Sequence, residues 1–307
     1  MTTTLLQPGQ IEAAAGSIPE LRLPPADLFL ARARRLEQLA ERTPGLAGYL
    51  RFVAALAHAQ QARATALPDA ELPSRTHLAQ CREYGMPPLS PAGLDWPAGW
   101  HATVRQLVRD IQAVLPESGQ AALQGLLAAP ESGLDAQARA LLEGGDGIDA
   151  AAAPVISAAL QVHWSRLARQ LDPAQVARPA HPNLCPVCGA HPVSAILRIG
   201  GAGNGLRYLH CALCASEWHV VRAKCSNCDN TRGIVYYHIE TGDGAVQAED
   251  CPECGSYLKL IRQDRDPLAD PVADDLATLA LDLLMDERGR ARSGFNGYLV
   301  SGLSPAT

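Results

Sequence analysis

Eight of the chain's nine cysteines fall into four C-x-x-C pairs: Cys185/Cys188, Cys211/Cys214, Cys225/Cys228 and Cys251/Cys254. Two cysteines separated by two residues can turn a tight knuckle that aims both sulfurs at one ion. Two knuckles brought together by a small antiparallel sheet close a tetrahedral shell of four thiolates. Spacing decides how the pairs group. Twenty-two residues separate the first pair from the second, and twenty-two separate the third from the fourth, so each cysteine of the first set has a counterpart forty positions on. The flanking residues match as well: "CASEWHVVR" lies over "CGSYLKLIR", aligning Ser216 with Ser256, Trp218 with Leu258 and Arg222 with Arg262. This is an internal repeat, 185–222 and 225–262. The expected ligand sets are Cys185, Cys188, Cys211 and Cys214 for one metal ion, and Cys225, Cys228, Cys251 and Cys254 for a second. An interleaved grouping, in which each ion bridges the repeats, stays open, although each unit already carries four ligands.

Turn chemistry supports the same reading. Glycine follows the second cysteine in "CPVCG" and "CPECG", where it permits a positive φ, and Asp229 follows the third pair as a residue that tolerates that region. Four thiolates in a tetrahedron suit zinc and equally suit a single iron. They leave two negative charges with a divalent ion and one with a ferric ion, and Arg207, Arg222, Lys224, Lys259 and Arg262 lie near enough in sequence to offset either. Ligation is expected to supply much of this region's folding energy. Structural zinc in small peptides is worth ~10–16 kcal/mol, and a unit of about forty residues is too small to fold well without such a staple. His181, His191, His210, His219 and His238 are read as surface groups or supporting donors, not ligands. Cys81 is read as a small core residue. "GGAGNG" at 200–205 lacks the Lys-Ser/Thr of a phosphate loop and fits a hairpin tip.

The elements that must position these residues follow from periodicity. Up to about residue 175 the pattern is helical. Phe29, Ala33, Leu36 and Ala40 recur at helical spacing in "DLFLARARRLEQLAER". Thr43-Pro44 reads as an N-cap and first helical residue, opening a helix with Tyr49, Phe52, Val53 and Leu56 on one face. Further stripes join Trp100, Val104, Leu107, Val108 and Ile111, then Ile156, Leu160, Trp164, Leu167 and Leu171; all are taken as core. Shorter helices are expected near 119–129 and 134–143, with "EGGDG" as a stop. The proline-rich segment 66–98 reads as a long loop, and proline clusters at 172–184 as a linker. Short β-like runs follow at 193–199, 206–210, 217–223, 234–239 and 257–262. A last helix in "ADDLATLALDLLMDERG" joins Leu276, Leu279, Ala280 and Leu283, and the "FNGYLVSGLSPAT" tail has no clear role.

Composition narrows the function. Apolar residues make up 47% of the chain, charged residues 19% and aromatics 5%, so the core is built mainly from Leu, Ala and Val. A formal charge of −6 argues against broad attraction to nucleic acid or anionic membrane. Residues 181–265 hold eight Lys/Arg and eight Asp/Glu, without the basic excess of a phosphate-tracking surface. The start "MTTTLLQPGQIEAAAGS" has no basic region leading into a long apolar stretch, and no run approaches eighteen apolar residues. A cytoplasmic protein, with thiols or metal ligands in place of disulfides, is therefore expected. Among other classes, a zinc-ribbon nucleic-acid- or protein-binding adaptor is the first alternative. A thiol oxidoreductase would need one reactive pair, not four pairs arranged as shells. A rubredoxin-like electron carrier would not usually bring some 175 residues of helix.

"GLRYLHCALCASEWHVVRAKCSNC", followed by "EDCPECGSYLKLIRQDRDP" and "PVADDLATLALD", closely resembles the FdhE family of formate dehydrogenase accessory proteins. The resemblance runs from about Cys185 to about Leu283, and all eight ligand positions agree. It implies a multidomain chain of α plus small β. An N-terminal all-α helical domain (1–175) precedes two tandem rubredoxin-like, zinc-ribbon-like four-cysteine modules (181–223 and 224–266), then a C-terminal helix and tail (267–307). It implies a non-enzymatic, cytoplasmic metal-binding factor that assists maturation of formate dehydrogenase by binding its catalytic subunit, without a nucleic acid or membrane partner. It also tips the two metal ions toward rubredoxin-type iron, with zinc as the other fit.

Overall fold

Helices dominate the first half of the computed structural model, which describes residues 18–115, 117–144, 148–178, 181–240 and 244–299. Helix α1 (Leu28–Arg42) buries the expected Phe29, Ala33, Leu36 and Ala40. Before α2 (Ala47–Ala66) a 3-10 turn intervenes over Pro44–Leu46, and the Thr43 side chain caps nothing. The helix packs against α1 with a face rotated from the expected one. Its buried face is Leu50, Val53, Leu56, Ala57 and Gln60, while Phe52 is half-buried and Tyr49 stands at the rim. A short helix missing from the sequence reading, α3 (Arg75–Tyr84), sits within the supposed loop 66–98. Ser74 caps it by accepting from the His77 amide at 3.2 Å, and Gly85 ends it at φ 66°. Helix α4 (Trp100–Ile111) buries the whole predicted stripe. Helices α5 (Glu117–Ala128) and α6 (Glu131–Glu143) follow. Gly144 closes α6 at φ 67°, while residues 145–147 of the expected stop lie outside the described ones. Helix α7 (Ala153–Ala168) is buried on nearly every side, with α2, α4 and α6 packed around it. Its many alanines let those helices approach from all directions, so the stripe through Ile156, Leu160, Trp164 and Leu167 is only part of its buried surface.

One sheet carries both repeats. Its strands are β1 (Leu21–Arg22), β2 (Pro192–Leu197), β3 (Arg207–Cys211), β4 (Glu217–Val220), β5 (Val235–Tyr237), β6 (Val246–Cys251), β7 (Ser256–Arg262) and β8 (Ala291–Arg292). Spatial order is β1-β4-β3-β2-β7-β6-β5, with β8 beside the start of β7. Each repeat is a three-stranded antiparallel meander, and the two join through a parallel β2–β7 pair, Ala195 opposite Leu260. The glycine-rich stretch 200–205 forms the β2–β3 hairpin tip, as expected. Strand β6 escaped the sequence reading because "VQAEDC" is polar. Glu249 and Asp250 are nevertheless buried, paired with Arg207 and Arg290.

The single terminal helix expected from the sequence is two, α8 (Ala273–Ala277) and α9 (Leu279–Glu287). Between them the Thr278 hydroxyl donates to the Asp274 carbonyl at 2.8 Å, a bond of the kind that bends helices. The break re-aims the second helix. Leu281 and Met285 are buried there in place of Leu279, Ala280 and Leu283, and Leu283 is 60% exposed. The chain after β8 packs inward: Tyr298 is buried with its hydroxyl 2.9 Å from Gln161 Oε1 on α7 and 3.1 Å from Gln60 Oε1 on α2. Residues 300–307 lie outside the described ones. One apolar core runs from Ala33 through α7 to Leu197, Leu209, Leu258 and Tyr298.

Candidate metal centres

The repeat places its knuckles where its strands begin and end. Cys185 and Cys188 precede β2, Cys211 ends β3, and Cys214 precedes β4; the second unit repeats this arrangement around β5, β6 and β7. Every knuckle turns back through a residue at positive φ just after its second cysteine: Gly189 at 76°, Ala215 at 58°, Asp229 at 65° and Gly255 at 66°. Backbone bonds close the turns, from Gly189 N to Cys185 O at 2.8 Å and from Asp229 N to Cys225 O at 3.0 Å. Cys185 N and Cys225 N donate to Ala190 O and Asn230 O at 2.9 and 2.8 Å, so the repeat holds at single hydrogen bonds.

The eight cysteines form two groups, Cys185/Cys188/Cys211/Cys214 and Cys225/Cys228/Cys251/Cys254, and within each the four sulfurs lie within 4.8 Å of one another. The interleaved alternative is excluded by this grouping. In the first group Cys185 Sγ is 3.6 Å from Cys214 Sγ, and Cys188 Sγ is 3.4 Å from Cys211 Sγ. In the second the corresponding distances are 3.8 and 3.7 Å. Metal–sulfur bonds of ~2.3 Å in a tetrahedron separate the sulfurs by about 3.8 Å, so both groups fit one ion each. The same distances are far too long for disulfides. Burial pushes the Cys185 and Cys188 thiols well up, so a bound cation is what would let this set become four thiolates.

The donors around the sulfurs are neutral. Backbone amides of Leu213 and Cys214 reach Cys211 Sγ at 3.3 and 3.4 Å, and Asn227 N reaches Cys225 Sγ at 3.4 Å. Ser216 Oγ lies 3.3 Å from Cys214 Sγ and Ser256 Oγ lies 3.0 Å from Cys254 Sγ, which gives the aligned serines one job in both units. Asn227 and Asn230 add side-chain donors at the second group only. These hydroxyls and amides were not singled out from sequence, though the Ser216/Ser256 match was their visible signal. Four of the five basic residues expected to offset the charge pair with carboxylates instead: Arg207 with Glu249, Lys224 with Asp229, Lys259 with Asp275 and Asp282, and Arg262 with Asp264. Arg207 is instead a tie between the repeats: it is 2% exposed on β3, and its Nη2 meets Glu249 of β6 at 2.5 Å. The histidines join neither group. His210 is buried against Glu217, and His181, His191 and His238 are exposed.

The two groups differ in exposure. All four cysteines of the first are buried, whereas in the second Cys228 is exposed, Cys225 and Cys254 are half-buried and only Cys251 is covered. The helical region presses directly on the first. Gln161 of α7 donates to Ala212 O at 2.9 Å, Trp164 donates to Leu89 O at 2.8 Å, and Leu89 N donates to Val187 O at 2.8 Å, which secures both knuckles. Cys81 is buried in α3 with His77 Nε2 at 3.4 Å, apart from both groups.

Comparison with known proteins bears on the whole chain. Residues 18–181 match the family described as FdhE, N-terminal, residues 184–222 the FdhE central domain, and residues 223–299 the FdhE C-terminal domain. A protein FdhE homolog of Pseudomonas aeruginosa is 42% identical over 309 residues, covering 98% of this chain and 99% of its own. The Cronobacter sakazakii homolog is 38% identical with the same coverage. The crystal structure of the FdhE protein from Pseudomonas aeruginosa superposes with a TM-score of 0.83 at 39% identity, covering 93% of this chain and 100% of that one.

Proposed function

Because the chain belongs to the FdhE family, we propose that it is a non-catalytic accessory factor that binds two metal ions and assists maturation of formate dehydrogenase by binding its catalytic subunit in the cytoplasm. The observation that carries the metal assignment is the pair of four-sulfur groups, each sized for one tetrahedral ion. Cys185, Cys188, Cys211 and Cys214 hold one ion, and Cys225, Cys228, Cys251 and Cys254 hold the other, in two rubredoxin-like units. Family kinship favours iron, while the donor set serves zinc equally well. The buried first centre fastens the helices to the sheet. The second is the one that solvent, a reductant or a partner surface can reach.

Elemental analysis after anaerobic purification from the native cell tests the metal reading. Two ions per chain are expected, iron in excess of zinc, falling to one in a Cys225→Ser/Cys228→Ser variant. Metal content unchanged in that variant removes the ligand assignment. For the partner, the tagged protein should retain the catalytic subunit of its own cell's formate dehydrogenase on an affinity column. Loss of formate dehydrogenase activity on deletion of this chain, without any such retention, would point to a route other than direct binding.

A further inference from the structure

A groove of about 780 Å³ opens between β1, β4, residues 173–178 and the knuckle at Cys225, within the ordinary size range of ligand pockets. Its walls are mostly apolar, with Leu21, Pro173, Val176, Pro186, Val220 and Val221 among them. Every Lys, Arg, Asp and Glu that lines it is paired within the protein: Glu20 with Arg178, Lys224 with Asp229 at 2.8 Å, and Arg207 with Glu249. A charged occupant would have to break one of those pairs, so the groove favours an uncharged one.

One wall of the groove is a strand edge that its neighbour covers only in part. Cys211 N donates to Ser216 O at 2.9 Å on the β3 side, and His219 N donates to Glu20 O at 3.0 Å on the β1 side. Alternation therefore turns the backbone groups of Trp218 and Val220 toward β3, and those of Glu217, His219 and Val221 outward. The chain bends at Glu20, and Pro19, next in line, has no amide hydrogen with which to continue the ladder. The His219 carbonyl and the Val221 amide accordingly have no hydrogen-bond partner among the described residues. Both residues line the groove, and Val221 is 61% exposed, so this pair opens outward and is not sealed in the core. The two groups flank Val220 as one residue of a parallel strand requires, accepting at His219 O and donating from Val221 N.

We propose that an extended, uncharged apolar segment of a protein client docks in this groove by strand addition at β4. Its backbone pairs with His219 O and Val221 N, and its side chains lie on the apolar walls. Backbone pairing reads extension more than sequence, which suits a factor that meets its client before that client has folded. Cys225 lines the same groove, so the bound segment lies against the exposed metal centre. The client rests on the accessory-factor reading above; the open strand edge does not.

Isothermal titration of the metal-loaded full chain tests it, with capped heptapeptides that alternate apolar and uncharged polar residues as the probes. At least one should bind saturably, and N-methylation at one of its central residues should weaken it at least tenfold by removing the hydrogen meant for His219 O. Val221→Pro, which deletes the amide at an exposed position, should weaken binding as much, while Val221→Ala stays within threefold of the parent. Should Val221→Pro melt early, the N-methylated peptides still test the pairing from the ligand's side. Absence of saturable binding by every heptapeptide overturns the proposal, as does binding indifferent to N-methylation or to a folded Val221→Pro. Binding that appears only after removal of residues 1–17 assigns the groove to the chain's own start, and a dimer that dissociates in Val221→Glu assigns it to a second copy; either result overturns a client site. On the affinity column, Val221→Glu should lose the catalytic subunit, and unchanged retention overturns the client site. Failure of the unaltered protein to retain the subunit removes the accessory reading and leaves the heptapeptide result to decide the strand edge.

Discussion

Gly189, Ala215, Asp229 and Gly255 occupy equivalent turns at φ between 58° and 76°, so the molecule carries its own comparison of side chains in the left-handed region. An L side chain there costs roughly 1–2 kcal/mol. Ala215 bears that cost where it packs with Phe29 and Val162. Gly189→Ala is therefore expected to destabilise by about 1–2 kcal/mol, since the new Cβ gains only a 3.4 Å approach to Pro87. Ala215→Gly should be neutral to about 1 kcal/mol stabilising, the released strain being offset by added freedom of the unfolded chain. Urea unfolding of both variants checks the pair; equal losses would mean that side-chain packing, not φ, governs these turns. Exposure differs as sharply as conformation. With Cys228 open to solvent and the first group wholly covered, a chelator should strip metal in two phases, the fast one abolished by Cys225→Ser/Cys228→Ser. A single phase releasing both ions would contradict the difference in burial. The cysteine grouping and three of the four turn residues were legible in the sequence because ligand spacing and turn preference are local. Ala215 was not, since nothing in an alanine announces positive φ.

Among the elements, α7 has the most to lose from a buried charge. His163 lies within it, 4% exposed, with Nε2 2.9 Å from the Thr103 hydroxyl of α4. Burial, with Arg166 and Arg63 nearby, lowers its pKa from 6.5 to about 4. The folded protein thus refuses a proton that the unfolded chain accepts. This contribution is fully present above pH 6.5 and is lost as pH falls toward 4, by about 3 kcal/mol in all. Glu217 titrates outside that window. Burial opposes its ionisation, but Arg198 and His210 hold it at about 2, so its contribution fades only below about pH 4.5. Stability measured by urea unfolding from pH 7 to 4 should decline, and His163→Gln should flatten the decline; an unchanged slope would assign it to other groups. The stripe in α4 was legible because one face repeats at helical spacing over three turns. Helix α3 was hidden among prolines even though Ser74 and Gly85 mark its ends. Strand β6 was hidden because its polar residues are buried by ion pairing, which no alternation pattern records.

For the molecule as a whole, the decisive feature is one that repeat spacing does not encode. The β2–β7 pair sets Ala195 beside Leu260, and through it the two units lie head to tail in one sheet. Strand β1 covers the outer edge at β4, while β5 forms the opposite edge with Val235 and Tyr236 exposed. Long-range pairing depends on which faces the helices leave to be buried, and that is settled only when the core assembles. The buried first centre sits inside that assembly, held by Gln161 of α7 and by Leu89; the second lies toward the open edge. Losing the first ion should therefore weaken the helices themselves. In Cys211→Ser/Cys214→Ser the helical circular dichroism should melt about 10 °C or more below the parent, since 1 kcal/mol moves a chain of this length by roughly 1.5 °C and a structural four-cysteine metal site is worth ~10–16 kcal/mol. In Cys225→Ser/Cys228→Ser the same signal should move by only a few degrees, because the helices make their knuckle contacts at the first centre. Equal shifts in the two variants would mean that the β2–β7 junction transmits the loss of either ion across the sheet, and that the helical region is as dependent on the exposed centre as on the buried one.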